Sequence, residues 1–287
     1  MSMMIAGCGY LGQRIAANWH QNGLPVVALT RSTQRATEFQ AKGWQAVVGD
    51  VATGLTTELP AVQTLVFAVG FDREADYDRR TLHPGGLGAL LHRLPNLRRV
   101  VYISTTGVYG DSQGEWIDET APTSPDRDSS QACVLAEQVV NEWVASENRS
   151  GSSLRLGGIY GPDRVPYARQ LLANQELNAS PLGYLNLIQV EDAARITCLI
   201  AAADNCPAIL NVTDGVPVVR DDYFKEIARL VGAPAPRYSN SHGNGNRGSA
   251  NRRISNACLR NHLAFELQFP CYRDGLADAI ASLQAGN

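Results

Sequence analysis

Apolar residues in the first half of the chain alternate between short continuous runs and stretches with helical spacing. Residues 3–6 form the first run, and Leu11, Ile15 and Trp19 then recur every four residues, the spacing of one helix face. Further apolar runs predict strands at 25–29, 44–48, 64–69, 99–104 and 153–157. Helical stripes fall at Leu87, Leu90, Leu91 and Leu94, and at Ala136, Val139, Val140 and Trp143. This alternation is typical of β-α units, so it predicts an α/β fold, a Rossmann doubly wound parallel sheet.

The second half of the chain has a less regular pattern. Residues 191–202 have the spacing of a helix, 208–212 read as a strand, and Phe224, Ile227, Ala228 and Val231 predict another helix. Residues 239–251 are rich in Ser, Asn and Gly, which predicts a mobile loop. We therefore expect a Rossmann domain at 1–158 and mainly a smaller C-terminal cap at 159–287, with the strand at 208–212 returning to the sheet.

Three glycines follow the first predicted strand with the spacing G-x-G-x-x-G. Gly7 allows a tight turn, Gly9 lets a pyrophosphate approach the backbone, and Gly12 lets the helix pack close to the strand. The free N–H groups at the start of the helix would face the phosphates. A glycine turn can also be purely conformational, but a strand before it and an amphipathic helix after it favour a dinucleotide site. The residues expected to contribute are Gly7, Cys8, Gly9, Tyr10, Leu11 and Gly12.

The end of the second predicted strand indicates which dinucleotide is preferred. An NAD-selective site usually has an acidic residue here, whereas this chain has Leu29-Thr30-Arg31-Ser32 and no Asp or Glu within residues 7–37. Arg31 can pair with a 2′-phosphate, Thr30 and Ser32 can add hydroxyl hydrogen bonds, and Arg35 lies one helical turn away. The sequence therefore favours NADP(H) over NAD(H). The alternative is a solvated Arg31 beside a Ser32 that merely caps the next helix.

Residues after the next two strands complete the predicted cofactor site. Asp50 follows the third strand where an adenine contact is expected, although it could equally be a turn former. The remaining members of this group are Val51, Ala68, Val69 and Gly70.

Composition narrows the range of partners. The chain has 287 residues, 44% of them apolar, and a formal net charge of −3, so no broad basic field exists for nucleic acid or an anionic membrane. Its 6 cysteines are scattered without a zinc-site spacing, and no metal is expected. Because the first strand leaves no room for a signal sequence and no apolar run approaches membrane-spanning length, we expect a cytoplasmic protein.

Longer strings of sequence resemble a known family. The strings are Val-Tyr-Ile-Ser-Thr-Thr-Gly-Val-Tyr-Gly at 101–110, Asp118-Glu119, Leu-Arg-Leu-Gly-Gly-Ile-Tyr-Gly-Pro at 154–162, residues 186–192, and Asn211-Val212-Thr213-Asp214. Together with the glycine turn they resemble the extended short-chain dehydrogenase/reductases, a family of epimerases and dehydratases, over nearly the whole chain. The resemblance implies a Rossmann domain with a substrate-binding cap, and a homodimer is plausible because family members often pair through two helices.

The catalytic pair of that family is missing here. Active members resemble one another in a Tyr-x-x-x-Lys pair, and matching residues 136–138 to their helix puts the Tyr position at Ser129 and the Lys position at Cys133. The chain has two lysines, Lys42 and Lys225, and neither follows a tyrosine by four residues. Thr105 matches the hydroxyl residue that ends the fifth strand. The chain thus resembles the atypical members, which keep the cofactor scaffold and lose the Tyr and Lys.

Other groups could replace the missing acid, and none is convincing from sequence alone. Tyr109 lies near the active-site end of the fifth strand, although a tyrosine there is usually structural in the family. Tyr77 could be solvated, Cys133 could be buried with a raised pKa, and Ser129 could cap its helix. The resemblance places Leu156 and Gly157 against the nicotinamide. It also implies that four residues line the substrate pocket: Tyr160, Arg164, Asn186 and Gln189.

Two functions follow from this sequence. The first is an NADP(H)-dependent oxidoreductase or epimerase of non-standard mechanism, acting on a small polar or sugar-like substrate. The second is a non-catalytic protein that binds and senses NADP(H), which the missing pair favours.

Overall fold

The computed structural model describes residues 2–145, 148–239 and 250–285, so most of the loop predicted at 239–251 lies outside the described residues. The strands in chain order are β1 (Met3–Ala6), β2 (Val26–Thr30), β3 (Gln45–Val48), β4 (Thr64–Phe67), β5 (Arg99–Thr105), β6 (Trp116–Ile117), β7 (Ser150–Leu156), β8 (Gly158–Tyr160), β9 (Tyr184–Leu185), β10 (Leu187–Gln189), β11 (Ile209–Val212), β12 (Val218–Val219) and β13 (Arg253–Ile254). The α-helices are α1 (Gly12–Gln21), α2 (Thr33–Ala41), α3 (Leu87–His92), α4 (Asp128–Val144), α5 (Ala168–Leu172), α6 (Val190–Ala202), α7 (Arg220–Val231), α8 (Ala257–His262) and α9 (Tyr272–Ala285).

Seven strands form the central sheet in the order β11-β7-β5-β4-β1-β2-β3. The pairs β1–β2, β1–β4, β2–β3 and β4–β5 are parallel, and Ile5 of β1 lies between Ala28 and Val66. Every residue of β1 and β4 is buried, as expected for strands covered on both faces by helices. The predicted Rossmann fold, a doubly wound parallel sheet, is confirmed.

The first predicted helix shows how the apolar stripe packs. α1 buries Ile15, Ala16 and Trp19, the residues that recur on one face of the sequence pattern. The leucine stripe of α3 is buried as well, but a π-helical turn at Thr81–Gly86 precedes this helix and was not predicted. Pro84 lies inside that turn and has no backbone N–H to donate, so a regular α-helical ladder cannot run through it.

The chain divides into two compact units. Unit one contains Met1–Val108, Arg127–Arg155 and Ala194–Leu210, and unit two contains Tyr109–Asp126, Leu156–Ala193 and Asn211–Asn287. Each unit combines three segments of the chain. The predicted domains, 1–158 and 159–287, are single segments, so their boundary does not coincide with the division into these units.

Unit two has its own apolar core and short strands. Its core includes Tyr160, Tyr223, Phe224 and Leu276, contributed in part by α7 and α9. Among its described residues are three two-stranded ladders, formed by β8 with β10, β9 with β12, and β6 with β13. Across the described parts of the chain, no helix is both long and apolar enough to cross a membrane.

Candidate functional site

The glycine turn joins β1 to α1, and its three glycines have different surroundings. Gly7 has a φ of +90°, and a methyl group on it would overlap the carbonyl oxygen of Ala68. A methyl group on Gly12 would overlap the carbonyl oxygen of Gly7. A methyl group on Gly9 would have no described atom within 4 Å. Close packing therefore requires Gly7 and Gly12, whereas the backbone of Gly9 faces open space.

A pocket of about 240 Å³ opens beside this turn. Its lining residues are Gly7, Cys8, Gly9, Leu29, Thr30, Arg31, Arg35, Gly49, Asp50, Val51, Ala68, Val69 and Gly70. Except for Leu29 and Gly49, all of them belong to the predicted cofactor site. Six predicted cofactor residues do not line this pocket: Tyr10, Leu11, Gly12, Ser32, Leu156 and Gly157. A cavity of about 780 Å³ around Arg98 and Arg149 contains none of the predicted site residues.

The charge around the glycine turn suits an anion. α1 has no acidic residue in its first turn, so the positive end of its dipole is not offset there. The guanidinium of Arg35 donates a hydrogen bond to the carbonyl oxygen of Cys8, which holds a cation beside the turn. Ser32 is the N-cap of α2, and its Oγ accepts from the Arg35 backbone N–H at 3.2 Å. The capping role that the sequence left open for Ser32 is therefore present.

Arg31 lies at the mouth of the pocket among acidic and phenolic oxygens. Its Nη2 donates to Asp72 Oδ2 at 2.9 Å, its Nη1 donates to the Tyr77 hydroxyl at 3.0 Å, and Asp50 Oδ2 is 3.7 Å from Nη1. The hydrogen bond to Asp72 raises the pKa of Arg31. The backbone N–H of Glu74 and the Arg31 guanidinium hold the pKa of Asp72 below its ordinary value. Arg31 is thus not simply solvated, and sequence reasoning missed Asp72 because nothing along the chain indicated that its loop returns to β2.

Asp50 has the turn-forming role that the sequence left open, and its contact with an adenine stays a prediction. Its Oδ1 accepts from the backbone N–H of Ala52 at 2.9 Å, which closes a turn after β3. Its Oδ2 accepts from the Tyr77 hydroxyl at 3.1 Å. The same carboxylate that lines the pocket therefore also anchors Tyr77.

Ser129 and Cys133, the positions that the resemblance assigns to the catalytic pair, lie in unit one on α4, which packs against β5. Thr105 Oγ1 accepts from the Gly107 N–H at 3.0 Å, and a methyl group on Gly107 would lie 3.0 Å from Ser130 Oγ. Ser130 Oγ therefore lies next to Gly107, and the sequence did not single out this serine. Ser129 does not cap α4, because the cap position belongs to Arg127 and Ser129 lies inside the first turn.

A buried thiol, Cys133, lies at the position that the sequence resemblance assigns to the family's lysine. Cys133 is 8% exposed, and burial raises its pKa, as does the nearby charge of Glu137. The Tyr102 hydroxyl contacts this thiol and lies 3.3 Å from His83 Nδ1. Burial lowers the pKa of His83 to about 4. A neutral thiol cannot supply the positive charge with which a lysine depresses the pKa of a catalytic tyrosine.

An ion pair that was not predicted lies in the same unit. Glu137 of α4 and Arg155 of β7 form two hydrogen bonds, at 2.7 and 3.0 Å, with side chains only 5% and 6% exposed. Ser104 of β5 donates to Glu137 Oε1 at 2.6 Å. The pair therefore links α4 to two neighbouring strands of the sheet.

Tyr109 is buried in unit two. Its hydroxyl donates to Asn211 Oδ1 at 2.9 Å, and only 1% of the residue is exposed. The backbone N–H of Asn211 in turn donates to Glu119 Oε1 at 2.7 Å. Packing and hydrogen bonding account for this tyrosine, and its role as a proton donor stays a prediction.

The predicted substrate residues of unit two also have structural partners. Asn186 binds the backbone of Arg252 at 3.0 Å and of Ile254 at 2.7 Å, which fixes β13. Gln189 is 1% exposed, and its Nε2 lies 3.5 Å from Asp278 Oδ2. Tyr160 is 1% exposed, whereas Arg164 is exposed. Contact of these residues with a substrate stays a prediction.

Leu156 is the last residue of β7, and Gly157 follows it. Leu156 is 3% exposed, and the Gly157 N–H donates to the carbonyl oxygen of Val212 at 3.0 Å. A methyl group on Gly157 would lie 2.5 Å from the carbonyl oxygen of Asn186, so only glycine fits there. Within the described residues, no group of three or more His, Cys, Asp or Glu side chains could hold a metal ion.

The sheet and the glycine-turn pocket define a Rossmann-type α/β protein. Residues 3–213 match the family model described as "NAD dependent epimerase/dehydratase family". The match covers more than half of the chain, so the chain belongs to the NAD-dependent epimerase/dehydratase family. The resemblance noted from its motifs is confirmed.

The chain is also similar to individual proteins and solved structures. The chain is 32% identical over 185 residues to Protein YeeZ of Escherichia coli (strain K12), covering 63% of this chain and 61% of that protein. It is 28% identical over 258 residues to a 3-diazoavenalumate denitrifying reductase of Streptomyces sp, covering 83% of this chain and 84% of that protein. The solved structure of MoeE5 in complex with UDP-glucose and NAD has a TM-score of 0.83 at 20% identity, covering 100% of this chain and 99% of that one. The last likeness concerns the fold.

Proposed function

We propose that this protein binds NADP(H) in the pocket beside the glycine turn. The observation that carries the proposal is the pair of guanidinium groups, Arg31 and Arg35, that line this pocket together with Gly9. Guanidinium forks bind phosphate through parallel N–H donors, and the open space at Gly9 lets a pyrophosphate reach the backbone. Family membership supports a nicotinamide dinucleotide, and the two arginines favour the form with a 2′-phosphate.

Calorimetric titration with NADPH and NADH tests the cofactor proposal. We expect wild-type protein to bind NADPH more tightly than NADH. Arg31→Ala should weaken NADPH binding about 10-fold or more and leave NADH binding nearly unchanged, because a charge-assisted bond to phosphate contributes about 1.5–3 kcal/mol. Arg14→Ala removes a cation from α1 that does not line the pocket, and should not change the preference. A wild-type protein that prefers NADH contradicts the proposal.

We further propose that the protein is an oxidoreductase or epimerase acting on a small polar or sugar-like substrate. The nicotinamide would supply hydride transfer. Of the usual three catalytic side chains this sequence retains Thr105, which can hydrogen-bond a substrate oxygen but is too weak an acid to protonate it. The proton must then come through water or another side chain. A relative of 28% identity that carries the name of a reductase supports redox chemistry.

A panel of small polar metabolites tests this activity, with NADPH consumption followed by its near-ultraviolet absorbance. Thr105→Val should lower turnover about 10- to 100-fold on any substrate found, while NADPH affinity is kept. Full turnover in Thr105→Val removes this residue from the mechanism. Tyr109→Phe tests the other predicted donor in the same way.

A specific observation favours the second candidate, a non-catalytic NADP(H) sensor. Cys133, at the position of the family's lysine, is buried with a raised pKa, and the Tyr109 hydroxyl is held by Asn211. A sensor would bind NADPH tightly, change conformation on binding and turn over none of the panel. Protease protection with and without NADPH detects that response.

We also propose that the protein is a homodimer, because members of the family that it resembles often pair through two helices, and that it is cytoplasmic, as its sequence leads us to expect. Sedimentation equilibrium should give twice the mass of one chain. A concentration-independent monomer contradicts this proposal.

A further inference from the structure

The Arg31 guanidinium belongs to a closed network at the mouth of the pocket. Arg31 donates to Asp72 at 2.9 Å and to the Tyr77 hydroxyl at 3.0 Å, and Tyr77 donates to Asp50 at 3.1 Å. Two of the four residues, Arg31 and Asp50, line the pocket itself. Asp72 and Tyr77 come from the loop after β4 and reach the pocket through these contacts. All four residues lie in unit one.

The two carboxylates of this network are held differently. Asp50 is 19% exposed, and its two oxygens bind the Ala52 N–H and the Tyr77 hydroxyl. Asp72 is 42% exposed, and its Oδ1 accepts from the Glu74 N–H of its own loop at 3.1 Å. Only Oδ2 of Asp72 reaches across to Arg31. Because the ion pair is this exposed, solvent screens it and little energy opposes its separation.

A phosphate and a carboxylate compete for the same donors of a guanidinium. Both anions accept from its N–H groups in the guanidinium plane, and a phosphate dianion carries more charge than a carboxylate. Tyr77 is neutral and contacts the other terminal nitrogen, Nη1, so it can keep Arg31 in place while the partner of Nη2 changes. The Nη2 donor is therefore the exchangeable one.

We propose that Asp72 occupies the place on Arg31 that a cofactor 2′-phosphate takes, so that Asp72 helps to set the discrimination between NADP(H) and NAD(H). The inference rests on the proposed NADP(H) function. Binding of NADPH exchanges the Asp72–Arg31 ion pair for a phosphate–Arg31 ion pair and releases the carboxylate to water. NADH has no 2′-phosphate and leaves the ion pair intact. Asp72 therefore lowers the affinity for NADPH and not the affinity for NADH.

Calorimetric titration of Asp72→Asn with NADPH and NADH tests this proposal. We expect NADPH to bind about 3- to 5-fold more tightly than to wild type, which matches the strength of an exposed ion pair, and NADH to bind with unchanged affinity. Asp76→Asn is the matched control, because it removes the same charge from an exposed position of the same loop. It should leave both affinities close to wild type. In an Arg31→Ala background, Asp72→Asn should lose its effect.

Two outcomes overturn the inference while NADP(H) binding itself stands. One is an equal change of NADPH affinity in Asp72→Asn and Asp76→Asn, which would show that only the net charge of the loop matters. The other is an equal gain of affinity for NADPH and NADH in Asp72→Asn, which would show that the Asp72 carboxylate repels both cofactors and does not compete with the 2′-phosphate. Failure of wild-type protein to bind NADPH overturns the proposed function, and this inference with it.

Discussion

Gly9 differs from its two neighbouring glycines in what a side chain would meet. At Gly7 and Gly12 a methyl group overlaps backbone oxygens, whereas at Gly9 it projects into space free of described atoms. The first two glycines are therefore required by the folded chain, and Gly9 is required only by a ligand that approaches the backbone.

Gly9→Ala should separate binding from folding. We expect the free energy of unfolding to change by less than about 0.5 kcal/mol, since no positive φ and no clash is involved. NADPH affinity should fall at least about 10-fold, because the new methyl group fills the path of the pyrophosphate. Urea denaturation and calorimetry measure the two quantities. Gly12→Ala is the control, and it should lose stability; a stable Gly9→Ala with wild-type affinity contradicts this placement of the phosphates.

The Glu137–Arg155 pair should stabilise the chain far more than an exposed pair does. Arg155→Leu removes the charged partner of the buried Glu137 carboxylate and keeps its hydrogen bond from Ser104, and we expect a loss of about 3–5 kcal/mol. The matched control is Arg229→Leu, which breaks a 2.7 Å pair with Glu226 where the arginine side chain is 67% exposed. That change should cost less than about 1 kcal/mol. Similar losses in the two variants, measured by urea denaturation, would contradict the role of burial.

At the scale of elements, the long buried strands were predictable and the short ladders were not. β1, β2 and β4 are visible in the sequence as short apolar runs, because a strand covered on both faces has no polar side. β6 and β13 have two residues each and exist because Trp116 and Ile117 pair with Arg253 and Ile254, more than a hundred residues away. Local pattern contains no information on such a partner.

The first turn of α2 has a helix cap that is also a predicted cofactor residue. Ser32→Ala removes the acceptor of the Arg35 N–H and should cost about 1 kcal/mol of stability. Ser32→Asp keeps a capping oxygen, so stability should stay near that of wild type. The new charge beside Arg31 should nevertheless weaken NADPH binding and spare NADH.

Thermal denaturation and titration of both Ser32 variants check this prediction. The two variants should change different quantities. Ser32→Ala should lower stability, and Ser32→Asp should lower the selectivity for NADPH. Wild-type NADPH affinity in Ser32→Asp would show that the phosphate does not bind near α2.

At the scale of the whole molecule, burial of ionisable groups couples stability to pH. Burial raises the pKa of Asp214 in unit two to about 7, and one of its oxygens has no hydrogen-bond partner among the described residues. Between the ordinary aspartate pKa near 4 and this value, the folded chain keeps a proton that the unfolded chain has lost. The stabilising effect is therefore complete below about pH 4 and is lost as the pH rises to about 7.

Asp214→Asn should remove this dependence. Relative to wild type, the variant should gain stability as the pH rises from about 4 to 7, by an amount on the order of 4 kcal/mol for a shift of roughly three pKa units. Urea denaturation at several pH values measures it. Asp222→Asn, an exposed aspartate of the same unit, should show no such gain. Parallel pH profiles of Asp214→Asn and wild type would contradict the raised pKa.

His83 contributes the opposite slope in unit one. Burial lowers its pKa to about 4, so the unfolded chain takes up a proton before the folded chain does as the pH falls below about 6.5. The stability contributed by neutral His83 is lost between about pH 6.5 and 4. Sequence alone does not predict whether the pKa of a histidine is lowered in this way, because its burial depends on which elements cover it.

Local sequence patterns were enough to predict the alternation of strands and helices, the glycine turn and the position of Arg31 after β2. These features depend on local spacing, since the period of apolar residues and the conformations open to glycine act within one or two turns of chain. Tertiary packing determined that Asp72 and Tyr77 contact Arg31 and that Glu137 pairs with Arg155. Those contacts join residues that the fold brings together from distant segments, and the strength of each depends on how far surrounding elements exclude water from it.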